Sequence, residues 1–518
     1  MKKAIWGSLI LAILHSILFY GQDFGISVLL FTIVSVFLLI AFLKKHGKVK
    51  NKNAVYLAFP IILLSSTYFI YNNAFFSTLN VFVIPILLGI MIVWACVDTF
   101  KLRELFGKSI NLVIGSLEFI PNAFKLIKEA IIGNKKEVKD GEQLPKGDKH
   151  KNAKLIGIGI VCSLPLLLII LALLMSADGV FASAFDVIFS KIEFIFTSDF
   201  IINLICRLIV IALVFVYIVC ILYNIFNKDS AFQREYKEKQ VIKSHINPVI
   251  VNTILTIINV VYLVFTGIQF LYLYSYVFSD AHLNTTLNLA EYARQGFFQL
   301  MIITIINFAI ILLTNENQKK EETKNKYTKW MNVAMCIFTI VIAISAFMRM
   351  RLYESEYGYT FLRLMVYIIL ITEIIAIIPT IIYILKEKIN LLKSYLIIGI
   401  TMYVVTNFAN IDYLIAKNNI NRVMNKMPGE FVREIDTDYL IENLGTDAVS
   451  EIVYLYSTTE DARDKRRINN YLYNMYQDVK KDRNIQEWNL SKDRAKKILE
   501  PLNLEYQGYN SNRNYNNI

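Results

Sequence analysis

The chain has 518 residues, of which 55% are hydrophobic, and it carries a formal net charge of +12. Its mean hydropathy of +0.46 and its repeated apolar runs exclude an ordinary soluble protein and predict membrane spans. From Ile411 onward sixteen Lys and Arg balance seventeen Asp and Glu. The basic excess therefore lies in the apolar part, where it indicates membrane topology rather than nucleic-acid binding.

Eleven apolar runs predict eleven transmembrane α-helices, because only helices and closed barrels satisfy the backbone in lipid. A secretory signal peptide is the alternative for the first run. It is disfavoured because no small-x-small cleavage site follows and a second run comes at once. The runs lie at 4–20, 24–43, 54–71, 79–98, 153–175, 200–223, 249–271, 296–314, 330–348, 359–385 and 393–410.

The distribution of Lys and Arg predicts a cytoplasmic N-terminus. With that orientation the inside segments hold 32 Lys and Arg and the outside loops hold four, which is the asymmetry expected of a membrane protein. Residues 99–152 form a cytoplasmic insert that is first amphipathic, broken near Pro121, and then a flexible charged loop over 134–152. The amphipathic part lies either on the inner leaflet or packed under the bundle.

An odd number of spans places the C-terminal residues outside the cell. Residues 411–518 are polar and predict a small extracytoplasmic helical domain with a disordered tail. Thr458 with Asp461 resembles a capping box before one helix, and Ser491 is the expected cap of another. The fold class is therefore all-α: a polytopic α-helical membrane protein with a small helical C-terminal domain, residues 1–410 being the transmembrane domain.

Charged residues gather where the spans meet the outside loops, and we call this set the outer polar rim. It consists of Asp178, Glu291, Arg294, Arg349, Arg351, Glu354, Glu356, Arg363 and Asp412. Simple interface anchoring explains such residues at helix ends, and a shared polar site is the alternative. We expect Arg351 to pair with a carboxylate of another helix, such as Asp178, Glu291 or Asp412.

Two charges lie deeper in predicted spans. Arg207 is about two turns inside the sixth run, from where it can snorkel outward. Glu373 lies midway along the tenth run, so it needs a partner, a proton or a cavity. Asn259, Asn307 and Asn407 are interpreted as hydrogen-bonding residues between helices.

No enzymatic motif or metal-ligand spacing appears, and we expect no cofactor, no metal site and no nucleic-acid partner. The five cysteines lie in apolar runs without a CxxC pair, so structural disulfides are not expected. The expected partners are the lipid bilayer and an envelope protein, lipid or glycan on the outer face.

Several segments of the chain are distinctive, and the most specific are AEYARQGFF and RMRLYESEYGYT. Others are LFYGQDFGISVLLF, LPLLLIILALLMSADGVFA, NIDYLIAKNNINR and DTDYLIENLGTDAVSEIV. These segments resemble a family of bacterial polytopic membrane proteins called domain of unknown function 4173, related to domain of unknown function 4153. The resemblance implies a membrane protein and assigns no catalytic residue.

Three hypotheses for function remain at this point. The first is a non-enzymatic protein of the bacterial cell membrane that senses, binds or scaffolds through the outer polar rim and the C-terminal domain. The second is a transporter of a small solute or lipid with Glu373 in its cavity. The third is a membrane enzyme acting on lipid or glycan.

Overall fold

The computed structural model describes residues 2–96, 102–132, 199–226, 247–278, 297–318, 326–386, 389–424 and 434–507. Helices dominate these ranges, and none of the residues described there forms a strand. The α-helices are α1 Lys2–Phe19, α2 Ile26–Lys45, α3 Ala58–Ile70, α4 Ala74–Cys96, α5 Leu102–Val113, α6 Ile120–Ile132, α7 Asp199–Phe226, α8 Pro248–Phe278, α9 Phe297–Gln318, α10 Lys326–Tyr357, α11 Phe361–Lys386, α12 Leu391–Phe408, α13 Ile411–Met424, α14 Thr437–Asn443, α15 Val449–Thr458, α16 Ala462–Lys480 and α17 Leu490–Leu499.

The all-α membrane fold predicted from hydropathy is confirmed. Within the described ranges, eight helices are long and apolar enough to cross a membrane, and two shorter apolar helices match the first and eighth predicted runs. Ten of the eleven predicted runs thus fall on helices. The fifth run, 153–175, lies outside the described residues.

The helices divide into two compact units, of which the first comprises 1–50 and 106–235. In this unit α1 packs on α2 and α7, and α6 packs on α7. Ala123 of α6 contacts Val219 and Cys220 of α7 in a small buried cluster, and the Asn224 amide donates to the Ser116 hydroxyl at 3.0 Å. The amphipathic stretch is therefore packed against α7.

The amphipathic stretch is broken near Pro121, as predicted, because α5 and α6 are separate helices and Pro121 stands at the start of the second. The chain bends by 49° between the segments Gly107–Val113 and Gly115–Ile127, and the second segment begins with the 3₁₀ turn Gly115–Phe119. Pro121 is the second residue of α6. Proline fits there because the first-turn N–H groups have no helical partner and the proline φ is already helical.

The second unit comprises 51–105 and 236–518, and α10 is the central span of its membrane part. Helices α8, α9 and α11 all pack on α10, while α12 packs between α11 and α3. Half of the residues in the most apolar stretch of α10 are buried, whereas 17% are buried in the corresponding stretches of α8 and of α12. Helix α10 is therefore buried among its neighbours to a greater extent than α8 and α12.

Buried amides join these spans, as interpreted from the sequence. Asn259 donates to the Met331 carbonyl at 3.1 Å. Asn307 accepts from the Tyr262 hydroxyl at 2.6 Å and donates to Thr339 at 3.0 Å. Asn407 accepts from Asn80 at 2.8 Å. Each bond links two helices and satisfies polar atoms that lipid could not.

The described residues between Ile411 and 507, here called the C-terminal module, form helices α13–α17 around an apolar core. Leu440, Ile452, Leu455 and Leu472 are buried in it, and Val453 and Ile498 pack against it. The core also includes Phe76 of α4. Phe361 of α11 packs on its surface as well, so the apolar core continues onto the ends of two spans.

The helix caps in the C-terminal module differ in part from the sequence expectation. Asp461 caps α16 by accepting from the N–H groups of Arg463 and Asp464, without Thr458. Asn489, rather than Ser491, caps α17 by accepting from the Lys492 N–H. Ser491 is buried, and its hydroxyl bonds the Thr446 hydroxyl at 2.7 Å.

Three expectations fall on residues outside the described ranges. They are the flexible loop 134–152, the fifth span 153–175 and the disordered tail, of which 508–518 is not described. The domain boundary expected at residue 410 stays a prediction, because the contacts place α13–α17 in one unit with α3, α4 and α8–α12.

Candidate functional site

The turn between α10 and α11 is held by side chains of the C-terminal module. The Asn419 amide pairs with both backbone groups of Tyr359: its oxygen accepts from the N–H and its nitrogen donates to the carbonyl, each at 2.8 Å. The Tyr439 hydroxyl accepts from the Phe361 N–H at 2.8 Å. Arg422 donates to the Ser355 carbonyl at 3.3 Å. We call Asn419, Arg422 and Tyr439 the clasp.

Gly358 makes the clasp possible. Its φ of +81° lies in the left-handed region, where side chains are strained. A Cβ at this position would overlap the Asn419 amide oxygen and lie 3.2 Å from an Arg422 guanidinium nitrogen. The turn can therefore approach α13 closely only with glycine at this position.

Glu354 of the outer polar rim lies beside this turn and is buried, with 5% of its surface exposed. Its carboxylate accepts hydrogen bonds from the Tyr359 and Tyr367 hydroxyls. Burial, followed by the bond to Glu354, raises the pKa of Tyr359, so this phenol remains a donor. The Glu354 carboxylate thereby connects the last turn of α10 to α11.

Arg363 neutralises part of this charge and closes the turn. Its guanidinium donates to the carbonyls of Tyr357, at 3.1 Å, and Gly358. It also lies 4.4 Å from the centre of the Tyr353 ring, and it acts electrostatically on Glu354. A planar, multidentate side chain suits these simultaneous contacts better than lysine would.

Arg351 does not pair with Asp412, which corrects one expectation. Arg351 is exposed, and its electrostatic effects fall on Glu354 of its own helix and on nearby tyrosines. No ion pair of Arg351 occurs among the residues that the structure describes. The carboxylate of Asp412 is occupied elsewhere, and Asp178 and Glu291 lie outside the described ranges.

Other members of the outer polar rim are only partly described. Arg349 is buried on α10, with 8% of its surface exposed. Glu356 belongs to the last turn of α10, and its side chain lies outside the described part, as does Arg294. The residues that the structure does bring together are Glu354 and Arg363.

Asp412 lies at the centre of a second polar cluster, at the start of α13. One carboxylate oxygen accepts from the Asn73 amide at 2.7 Å and the other from the Gly445 N–H at 3.1 Å. Asn73 in turn accepts from the Phe76 N–H at 3.1 Å. The Asp412 side chain therefore fastens the α3–α4 corner to the loop that follows α14.

Asp447 and Asn489 extend this cluster to α17. Asp447 accepts from the Asn72 N–H at 2.8 Å and from the Ser491 hydroxyl. Asn489 donates to the carbonyls of Tyr68 and Tyr71, both at 2.8 Å. These carbonyls belong to the C-terminal end of α3, which has no helical donors for its last turn. The buried amide supplies two of the missing donors.

Asp412 is expected to make stability depend on pH. Burial, opposed by the Gly445 bond and reinforced by repulsion from Asp447, raises its pKa from 3.8 to about 6. Burial and the Asp412 charge in turn raise the pKa of Tyr439 and of Tyr471. Because the folded state binds this proton more tightly than the unfolded state does, protonation of Asp412 stabilises the fold. This stabilisation is complete below about pH 4 and is lost as pH rises through about 6. The shift corresponds to about 3 kcal/mol.

The measurement is thermal unfolding of the purified chain in detergent between pH 4 and pH 8. The wild type should lose stability across this range more steeply than Asp412→Asn. Asp482→Asn, which changes an exposed carboxylate, should retain the wild-type slope. Equal slopes for wild type and Asp412→Asn would show that Asp412 does not titrate as described.

The two deeper charges are both engaged. Glu373 on α11 accepts from the Thr304 hydroxyl of α9 at 2.8 Å, so its partner lies on a neighbouring helix. Arg207 is exposed on α7, and its guanidinium lies 5.1 Å from the centre of the Tyr20 ring. Tyr20 follows the end of α1, so this contact agrees with snorkelling toward the membrane surface.

The sequence reasoning missed the amides that hold these clusters. Asn73, Asn419 and Asn489 lie in ordinary polar stretches, and asparagine in such places usually indicates a turn or a cap. A usable signal was the Asn72–Asn73 pair directly between two apolar runs, where the connection is short. Asn419 gives no comparable signal, because its role depends on a turn some sixty residues away.

The arrangement is suited to structural coupling. Within the described ranges no three His, Cys, Asp or Glu side chains come together as a metal site. The buried carboxylates of Glu354, Asp412 and Asp447 each accept from hydroxyl, amide or backbone donors. Such satisfied polar groups fix the relative positions of the elements that they join.

Comparison with known proteins gives a family. No curated protein and no solved structure matches the chain. The sequence model of one family matches residues 58–455, a range that contains the α3–α4 corner, the clasp, Glu354, Asp412 and Asp447. That match covers well over half of the chain, which therefore belongs to the family described as Domain of unknown function (DUF4153).

Proposed function

We propose that this integral membrane protein is a scaffold of the bacterial cell envelope. Its C-terminal module lies on the extracytoplasmic side and holds the outer ends of the membrane helices in a fixed arrangement. The observation that carries this proposal is the clasp, in which Asn419 pairs with both backbone groups of Tyr359 in the α10–α11 turn.

The contacts at the α3–α4 corner support the same role. Asp412, Asp447 and Asn489 bind backbone or side-chain groups of residues 68–73. Together with the clasp, these contacts give the module two attachments, one to the α3–α4 corner and one to the α10–α11 turn. A change on the module surface would thus be felt at both helix pairs, and the same coupling would serve sensing or binding of an envelope protein, lipid or glycan.

The orientation in this proposal rests on charge. The inside segments carry 32 Lys and Arg and the outside loops four, which favours a cytoplasmic N-terminus and an extracytoplasmic module. The relation to domain of unknown function 4173 is also part of the proposal. It is supported by AEYARQGFF and RMRLYESEYGYT.

A scaffold is favoured over a transporter by the contacts of Glu373. Its carboxylate accepts from Thr304 where α9 and α11 pack together. A hydrogen bond between packed helices satisfies a polar group in the membrane, so Glu373 has a structural role without any transported ion.

Hydrogen exchange of the full chain in nanodiscs tests the scaffold role. Asn419→Ala removes both bonds to Tyr359, so exchange should rise in the last turn of α10 and the first turn of α11 as well as in α13. Lys417→Ala is the matched control, because Lys417 is exposed on the same helix and donates to the Tyr413 hydroxyl of that helix. An increase confined to α13 in the Asn419 variant would contradict the coupling.

A further inference from the structure

The loop between α16 and α17 presents apolar side chains that the C-terminal module does not cover. Ile485 is 86% exposed and Trp488 is 40% exposed. Such exposure is unusual because this part of the chain is polar and its helices bury their apolar faces in a common core. The loop is nonetheless ordered by its own bonds, from the Glu487 N–H to Asn484 and from the Trp488 N–H to Ile485, at 3.0 and 3.2 Å.

The position of this loop is fixed relative to a membrane span. Asn489, directly after Trp488, donates to the carbonyls of Tyr68 and Tyr71 at the end of α3. The Trp488 ring also stacks on Phe69 of α3, with centroids 5.8 Å apart and planes 21° apart. The candidate span ends at Ile70. Trp488 therefore lies level with the last turn of a span, where the hydrocarbon core meets the headgroups.

The exposed side chains at the level of the loop suit contact with lipid. On α4, which starts at the same level, Phe75, Val81 and Phe82 are exposed by 51%, 43% and 64%, as expected of a lipid-facing surface. Tryptophan is enriched at this depth of a bilayer because its ring is apolar and its N–H is polar. The exposed loop thus lies at the end of α3, at the level where α4 begins and exposes side chains that suit contact with lipid.

We propose that residues 484–489 are a lipid-binding foot of the C-terminal module, with Ile485 inserted among the acyl chains and Trp488 at the headgroup boundary. The foot would hold the module against the leaflet beside α3. This inference depends on the level of the loop along α3 and not on which side of the membrane that level faces. The proposed orientation can therefore be wrong while this proposal is right, and the reverse.

The test uses a single fluorescent probe on the full chain in liposomes. Ile485→Cys, in a background without the native cysteines, is labelled with an environment-sensitive dye. Ser457→Cys, an exposed position on α15, carries the same dye as the matched control. Each protein is reconstituted at low density into ordinary lipids and into lipids brominated along the acyl chains.

The foot predicts that the Ile485 probe emits at shorter wavelength than the Ser457 probe and is quenched by the brominated lipids. Emission like that of the Ser457 probe, without quenching, would show that the loop lies in water and would overturn the proposal. A blue shift that brominated lipids do not quench, and that grows with protein density, would indicate contact between copies of the chain. That result would also overturn it.

Discussion

Gly358→Ala is expected to destabilise the protein by about 3 kcal/mol. The alanine would carry a positive φ, which costs about 1–2 kcal/mol. Its methyl group would also displace Asn419, and each of the two lost bonds to Tyr359 contributes about 0.5–1.5 kcal/mol. The measurement is the unfolding midpoint of the purified chain in detergent.

Gly399→Ala provides the matched control. Gly399 lies inside α12, and a Cβ there would meet nothing within 4 Å. That variant should change stability by less than about 1 kcal/mol, the difference in helix propensity between glycine and alanine. Similar midpoints for the two variants would mean that the turn does not need its glycine and that the clasp is not tight.

Asn489→Ala should cost about 3 kcal/mol. The change removes the α17 cap, which contributes about 1 kcal/mol. It also removes two buried hydrogen bonds to the end of α3, each contributing about 0.5–1.5 kcal/mol. Asn443→Ala is the control, because that exposed amide donates to the Tyr439 carbonyl of its own helix.

Asn489→Asp separates capping from attachment to α3. Aspartate caps helices as well as asparagine does, but its carboxylate cannot donate to the carbonyls of Tyr68 and Tyr71. We therefore expect Asn489→Asp to be at least as unstable as Asn489→Ala. Recovery of wild-type stability by the aspartate variant would show that Asn489 only caps α17.

The membrane helices could be predicted because one strong effect determines them. A run such as 359–385 is too apolar and too long for any element but a spanning helix, and α11 follows it closely. Local chemistry also located Asp461 at the start of α16. It predicted Ser491 as the cap of α17, whereas Asn489 is the cap. Both residue types are good caps, and Asn489 also contacts the end of α3.

The charged residues of the candidate site could be predicted from the sequence, but the residues that bind them could not. Glu354, Arg363 and Asp412 were recognised because charges beside apolar runs are conspicuous. The groups that satisfy them, Asn73 and two tyrosines, are common polar residues. Of the three carboxylates suggested as partners of Arg351, Asp412 is excluded because it is occupied by N–H donors of Asn73 and Gly445. A pairing with Asp178 or Glu291 stays a prediction.

The proposed function depends above all on the side of the membrane on which the C-terminal module lies. Single cysteines at Ser457 in the module and at Lys45 at the end of α2 report the two sides in a background without native cysteines. Both positions are exposed. On intact cells a membrane-impermeant thiol reagent should label the Ser457→Cys protein and leave the Lys45→Cys protein unlabelled until the membrane is opened. Labelling of Lys45→Cys alone would place the module in the cytoplasm and contradict the proposed scaffold of the outer face.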